Sequence, residues 1–102
     1  MEEGSTFAKR LREAREAIGI SQKQLGILAG IDQFVASARI NQYERGKHVP
    51  DIATARRLAS ELGIPVSFLY EPNDDLAALI RILGRIPKAK LDSLTKQLND
   101  EK

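Results

Sequence analysis

Apolar residues recur every three or four positions along almost the whole chain, and glycine or proline separates one run from the next. This spacing is typical of amphipathic helices, because it places the apolar side chains on one face. Only 5% of the residues are aromatic, and the alternation of apolar and polar residues that marks a half-buried strand is absent. The sequence therefore predicts an all-α fold.

Seven helical segments are expected from these runs, over 5–18, 22–29, 33–45, 51–62, 65–70, 74–86 and 87–98. Ser21, Asp32 and either Asn73 or Asp74 can cap the helices that follow them, since their side-chain oxygens accept backbone N–H groups. The expected buried faces contain Phe7, Leu11, Ala14 and Ile18 in the first helix, Leu25 and Leu28 in the second, Phe34, Ile40 and Tyr43 in the third, and Ile52, Ala55, Leu58, Ala59 and Leu62 in the fourth. Arg10 falls on the polar side of the first helix.

The composition excludes several classes of protein. With 102 residues the chain has the size of one domain with a short appendage. There is no cysteine and only one histidine, His48, which excludes disulfides, thiol nucleophiles and histidine-rich metal sites. The net charge of +2 favours an anionic partner only weakly, so any contact with nucleic acid needs a local patch. No membrane segment or signal peptide is evident, and a cytoplasmic protein is expected.

Residues 22–45 form the most informative unit, a short helix, a tight turn containing glycine, and a second helix. This unit can place its second helix in the major groove of DNA, because the groove is about as wide as one helix and the first helix braces on the backbone. The unit therefore indicates double-stranded DNA as the partner.

Three strings carry a family resemblance: SQKQLGILAG at 21–30, INQYERGKHVP at 40–50 and ATARRLASELGIP at 53–65. In this order they resemble the helix-turn-helix domain of the lambda-repressor and Cro type, the Xre family. The resemblance implies a five-helix DNA-binding domain over 1–72 and a C-terminal helical extension over 73–102. It also implies a sequence-specific transcriptional regulator.

The segment between Gly30 and Tyr43 is longer than in the commonest members of that family, and the extra residues lie within IDQFVASA. This string and the short chain resemble one subgroup, the controller proteins of bacterial restriction–modification systems and similar autoregulators. Base-reading residues are expected at Ser37, Ala38, Arg39, Asn41 and Gln42. Arg39 suits guanine, Asn41 or Gln42 suits adenine, and Ala38 suits a thymine methyl group. The alternative is that these residues are only the polar side of a surface helix.

Contacts with DNA phosphates are expected from two short segments, at Gln22, Lys23 and Gln24 and at Arg45 and Lys47. The first segment begins a helix, where backbone N–H groups and the helix dipole favour an anion. The family resemblance further implies a structural ion pair between Arg15 and Glu44. An arginine can hold a carboxylate with two hydrogen bonds, so this pair links the first helix to the recognition helix.

The C-terminal leucines and isoleucine allow two interpretations. A symmetric homodimer would bury Leu76, Leu79, Ile80, Leu83, Leu91, Leu94 and Leu98 and place two recognition helices one turn of DNA apart. Alternatively, both helices fold back and extend the core of their own chain. We favour the dimer, because a completed five-helix domain would leave these apolar faces in water.

Three function classes were compared. The leading hypothesis is a homodimeric regulator that blocks or recruits RNA polymerase at a pseudo-palindromic operator. The alternative is a protein-interaction module, such as an antitoxin-like protein, with a partner docked on 73–102. An enzyme is not expected, because no catalytic residue, metal-ligand spacing or glycine-rich phosphate loop is found. No cofactor, metal or small-molecule ligand is predicted.

Overall fold

The fold was examined in a computed structural model, which describes residues 3–101, with side chains from Thr6 onward. The elements in chain order are α1 (Glu3–Ile18), α2 (Gln22–Leu28), α3 (Ala36–Glu44), α4 (Ile52–Leu62), a short 3-10 helix (Val66–Tyr70), α5 (Asp74–Leu83) and α6 (Lys88–Asp100). No strand occurs between residues 3 and 101. The prediction of an all-α fold is confirmed.

Polar side chains begin three of the helices. Ser21 forms a capping box with Gln24: its hydroxyl accepts the Gln24 N–H at 3.0 Å, and its own N–H donates to Gln24 Oε1 at 2.9 Å. Asp51 accepts the N–H of Thr54 at 2.8 Å, which holds the pKa of its carboxyl below the usual range. Asn73 caps α5 by accepting the N–H of Leu76 at 2.9 Å. These bonds satisfy N–H groups that have no partner within the helix.

The start of α3 differs from the prediction. The helix begins at Ala36, and residues 33–35 form a turn. Asp32 does not cap the helix. Its carboxylate accepts the N–H of Phe34 at 3.3 Å, and its carbonyl accepts the N–H of Val35 at 3.0 Å. This is a local bond of the kind by which aspartate favours a turn over a helix.

The core lies between α1, α2, α3, α4 and the 3-10 helix, around Phe7, Leu11, Leu25, Ile40, Leu58 and Leu69, all fully buried. Four residues predicted for it are instead exposed: Ile18, Leu28, Phe34 and Ile52. Phe34 lies in the turn, so the helical spacing that assigned it to the core does not apply. On α2 the buried residues are Leu25 and Gly26, which leaves Leu28 on the other face.

The closest approach of backbones is between α2 and α3. A Cβ atom placed on Gly26 would lie 2.7 Å from the Cβ of Ala36 and 3.1 Å from its Cα and carbonyl oxygen. Real Cβ atoms do not approach another atom this closely, so the crossing of the two helices requires glycine at position 26.

The segment that follows residue 70 returns to α1. Arg10 is only 3% exposed and not on a solvated face, as was expected, because residues 71–74 cover it. It donates to the Glu71 carbonyl at 3.0 Å and to Asp74 Oδ1 at 2.9 Å. Lys9 donates to the same Asp74 oxygen at 3.1 Å, and these two cations lower the pKa of Asp74. The carboxylate therefore ties α5 to α1.

The predicted boundary at residues 72 and 73 does not coincide with the edge of the core. Ala77 belongs to the core and Ile80 packs against it, so α5 completes the core that the first five helices were expected to close. Helix α6 has no buried residue. The described chain measures 51 × 29 × 23 Å, and its radius of gyration of 15.0 Å exceeds the roughly 13 Å typical of this length. The outer ends of the predicted domains, residues 1–2 and 102, lie outside the described part.

Candidate nucleic-acid interface

Helices α2 and α3 form a unit with two different sides. Ala36, Ile40 and Tyr43 are buried and hold α3 on the core, with the three- and four-residue spacing of one helical face. The turn before α3 is fixed at its start, since the Ile31 N–H donates to the Gly26 carbonyl at 2.9 Å. The remaining side of α3 is presented to solvent.

The structure brings the five predicted base-reading residues onto this solvent side in two groups. Ser37, Ala38 and Arg39 are exposed in the first turn and a half of α3, whereas Asn41 and Gln42 are half-buried. Exposure near the N-terminal end of a recognition helix is the geometry required for contact with base edges. The arrangement can therefore present a guanidinium group and a methyl group to a groove.

An ion pair at the opposite end of α3 fixes its position. Arg15 Nε donates to Glu44 Oε2 at 2.6 Å and Arg15 Nη2 donates to Glu44 Oε1 at 3.0 Å. The two side chains are only 13% and 3% exposed. The hydrogen bond to Glu44 raises the pKa of Arg15, so the guanidinium stays charged. The predicted partners thus meet in the two-bond geometry that arginine allows.

The same ion pair binds both α2 and the loop before it. Arg15 Nη1 donates to the carbonyl of Ile20 at 2.9 Å, which holds the loop before α2. Gln22 Nε2 donates to Glu44 Oε1 at 3.2 Å and to Asn41 Oδ1 at 3.3 Å. The sequence did not reveal the bond between Gln22 and Asn41, because it depends on how α2 and α3 cross.

These bonds divide the predicted phosphate contacts into two groups. The side chains of Gln22 and Gln24 are engaged within the chain, Gln22 in the network around Glu44 and Gln24 in the capping box. Lys23, Arg45 and Lys47 are exposed at the two ends of the unit. Together with Arg39, these three cations therefore give this surface the positive charge that it offers to an anion.

A shallow cleft beside α3 contains two residues that are not among the predicted site residues. His48 and Thr54 line it together with Arg39 and Gln42. The structure places His48 in the same cleft as two of the predicted base-reading residues. Its position directly after the recognition helix was the signal that could have indicated this.

Arg57 has a structural part in the unit. Its Nε donates to the carbonyl of Ala29 at 2.9 Å, and its guanidinium also contacts the hydroxyl of Thr54 at 3.1 Å. The carbonyl groups at the end of a helix lack partners within it, so this bond stabilises the end of α2.

Two other kinds of feature are absent from the described residues. Between residues 3 and 101 there is no group of three or more acidic, histidine or cysteine side chains that could hold a metal ion. Within the same part of the chain, no helix combines the length and the apolar character needed to cross a membrane.

Comparison with known proteins is most direct at the level of the family. Residues 11–69, which include α2, α3 and the network around Glu44, match the model of a family described as helix-turn-helix. The chain belongs to this helix-turn-helix family. The family resemblance inferred from the three sequence strings is confirmed at this level.

Two individual proteins are similar to this chain. One is an uncharacterized HTH-type transcriptional regulator derived from the SPbeta prophage, YonR of Bacillus subtilis strain 168, with 32% identity over 65 residues. The match covers 64% of this chain and 56% of that protein, so the chain spans little more than half of this relative. The other is the crystal structure of the transcriptional regulator BswR, with 44% identity and a TM-score of 0.84. That match covers 91% of this chain and 92% of the other.

Proposed function

We propose that the protein is a sequence-specific transcriptional regulator that binds double-stranded DNA as a homodimer. The observation that carries this proposal is the two-sided packing of α3, in which three residues are buried and the exposed side includes Ser37, Ala38 and Arg39. Two similar proteins, both named as transcriptional regulators, support it.

In the proposed complex, α3 lies in the major groove and α2 crosses the sugar–phosphate backbone. Arg39 binds a guanine, Gln42 or Asn41 binds an adenine, and Ala38 contacts a thymine methyl group. Lys23, Arg45 and Lys47 neutralise phosphates and set the position of the helix without reading sequence. Occupancy of an operator near a promoter then blocks RNA polymerase or recruits it.

The homodimer accounts for the apolar surface of the C-terminal helices. Leu76, Leu79 and Leu98 are exposed by 45%, 48% and 63% of their area. Helix α6 has 13 residues, and a helix of that length is marginal in water unless something packs against it. In a homodimer, the apolar faces of α5 and α6 in one chain would be covered by the identical faces of the second chain. We therefore propose residues 73–102 as the dimerisation segment, in which Leu83, Leu91 and Leu94 also take part. Ile80, which was predicted for this surface, instead packs against the core of its own chain.

Selection from a pool of duplexes with a randomised central segment tests the DNA-binding proposal. The full chain should enrich one pseudo-palindromic sequence, and its affinity for that duplex should fall steeply as salt rises, because bound counterions are released. The variant Lys90→Ala, on α6, is a control that removes an exposed cation which is neither on α2 or α3 nor among the apolar residues proposed for the dimer. A chain that enriches no sequence, or whose binding is independent of salt, would contradict the proposal.

Sedimentation equilibrium tests the homodimer. The full chain should be dimeric at tens of micromolar, and Leu79→Glu should be monomeric while keeping the helical content of the wild type. A monomeric wild type would refute the dimer, and a different protein copurifying on residues 73–102 would support the antitoxin-like alternative.

The narrower hypothesis of a restriction–modification controller rests on the IDQFVASA string. Genes for a methyltransferase and an endonuclease next to the gene of this protein would support it. Their absence would remove it and leave the regulator proposal unaffected.

A further inference from the structure

Phe34 is the most exposed large apolar side chain in the described part of the chain. Its exposed fraction is 86%, higher than that of any other large apolar residue between residues 6 and 101. A phenyl ring in water is unfavourable, and burying it in a complex would recover this free energy. A single exposed apolar residue needs no explanation by itself, so its surroundings decide what it can do.

The turn holds Phe34 in place before any partner arrives. The Phe34 N–H donates to Asp32 Oδ1, and the Val35 N–H donates to the Asp32 carbonyl, so both flanking peptide units are bonded. The Val35 carbonyl in turn accepts the N–H of Arg39 at 2.9 Å, which joins the turn directly to α3. Because the backbone of the turn is already ordered, only the side chain itself would lose freedom on binding, which favours affinity.

Phe34 also lies next to the surface proposed to read DNA. It lies in the turn only two residues before Ala36, the first residue of α3, at the end of the helix that enters the groove in the proposed complex. Ala36 is fully buried against Gly26, so the distance of this end of the helix from the core is fixed. The exposed ring and the exposed base-reading residues therefore share one rigid end.

We propose that Phe34 is a specificity-determining residue that packs against the C5 methyl group of a thymine. This inference rests on the proposed function. The thymine methyl is the one apolar group that base pairs present in the major groove, and an aromatic ring is among the side chains that contact it. The longer segment between Gly30 and Tyr43 then adds one base-pair position, beyond those reached by Ala38 and Arg39, to the sequence that is read.

A protein partner is the other candidate occupant of this region. Ile27 and Leu28 at the end of α2 are also exposed, by 44% and 55%, and together with Phe34 they could form a protein-binding patch. DNA is favoured because Phe34 is carried on the turn that begins the recognition helix. Leu28 lies on the preceding helix and serves as the control.

The test compares wild type, Phe34→Ala and Leu28→Ala in selection from the randomised duplex pool. Phe34→Ala should lower the affinity for the sequence that wild type selects by about 10- to 100-fold, the effect of burying one large apolar side chain. It should also lose the preference for thymine at one position of each half-site. Leu28→Ala should keep both affinity and preference. Since both residues are exposed, thermal unfolding should be unchanged in each variant.

Replacing that thymine with deoxyuridine, which lacks only the methyl group, isolates the contact. Wild type should bind the substituted duplex about fourfold more weakly, the effect of one apolar carbon, and Phe34→Ala should show no difference between the two duplexes. An unchanged consensus with Phe34→Ala, or equal sensitivity of both proteins to deoxyuridine, would overturn the inference. Failure of wild type to select any sequence would instead contradict the proposed function.

Discussion

Removing Glu44 should be one of the most destabilising single changes in this protein. Its carboxylate accepts two hydrogen bonds from Arg15 and one from Gln22, and its side chain is only 3% exposed. Glu44→Ala leaves the guanidinium of Arg15, itself 13% exposed, without its anion. Removal of one partner of a buried pair costs about 3–5 kcal/mol, mainly because the remaining charge is desolvated without compensation.

The free energy of unfolding measured in urea gives this quantity directly. Glu44→Gln keeps the shape of the side chain and can still accept a hydrogen bond from Arg15. Its free energy of unfolding should therefore fall less than that of Glu44→Ala. The double variant Arg15→Ala with Glu44→Ala should be more stable than the sum of the two single losses predicts, because neither charge is then left alone.

An exposed ion pair on α1, the helix that carries Arg15, is the matched control. Arg12 Nε lies 3.4 Å from Glu16 Oε2, and their side chains are 64% and 55% exposed. Arg12→Ala should therefore cost less than about 1 kcal/mol. If Glu44→Ala proves no more destabilising than Arg12→Ala, the reasoning from burial is refuted.

Three further predictions follow from the structure. Gly26→Ala should destabilise the fold by about 1–3 kcal/mol despite the helix preference of alanine, and adding Ala36→Gly should restore part of the loss in a urea titration. Arg39→Ala should reduce discrimination at one base pair by about 1–3 kcal/mol in a titration of operator variants, and an unchanged preference would refute its role. The pKa of Asp74 is lowered by Lys9 and Arg10, so its contribution to stability is present above the unfolded pKa of about 3.9 and lost as pH falls through the lower folded value. In thermal melts, Asp74→Asn should reduce the fall of the melting temperature at acid pH, whereas the control Asp75→Asn should not. Equal dependence on pH in the two variants would contradict this role of Asp74.

Local signals in the sequence predicted most of the helices. Ser21 and Asn73 cap the helices that they precede, as predicted, and Asp51 and Gly63 begin and end α4. These features depend on a few neighbouring residues, which is why a single sequence reveals them. Asp32 was the exception, because an aspartate can bond its own turn as readily as it can cap a helix.

Features that depend on distant parts of the chain were not predictable in the same way. Arg10 was assigned to a polar face, and only the return of residues 71–74 explains its burial. The ion pair of Arg15 with Glu44 came from the family resemblance, since the partners are separated by 29 positions. The bond of Gln22 to Asn41 depends on the helix crossing, which no periodicity describes.

The attachment of α5 to α1 has a consequence for operators. Arg10 and Asp74 join the C-terminal segment to the part of the chain that carries α3. In the proposed homodimer, the separation of the two α3 helices is therefore set by the protein. One base pair added between half-sites shifts one of them by about 3.4 Å and rotates it by roughly 34° around the duplex axis, since one turn contains about 10.5 base pairs. A rigidly joined pair cannot follow that screw motion, so such operators should retain only single-site affinity.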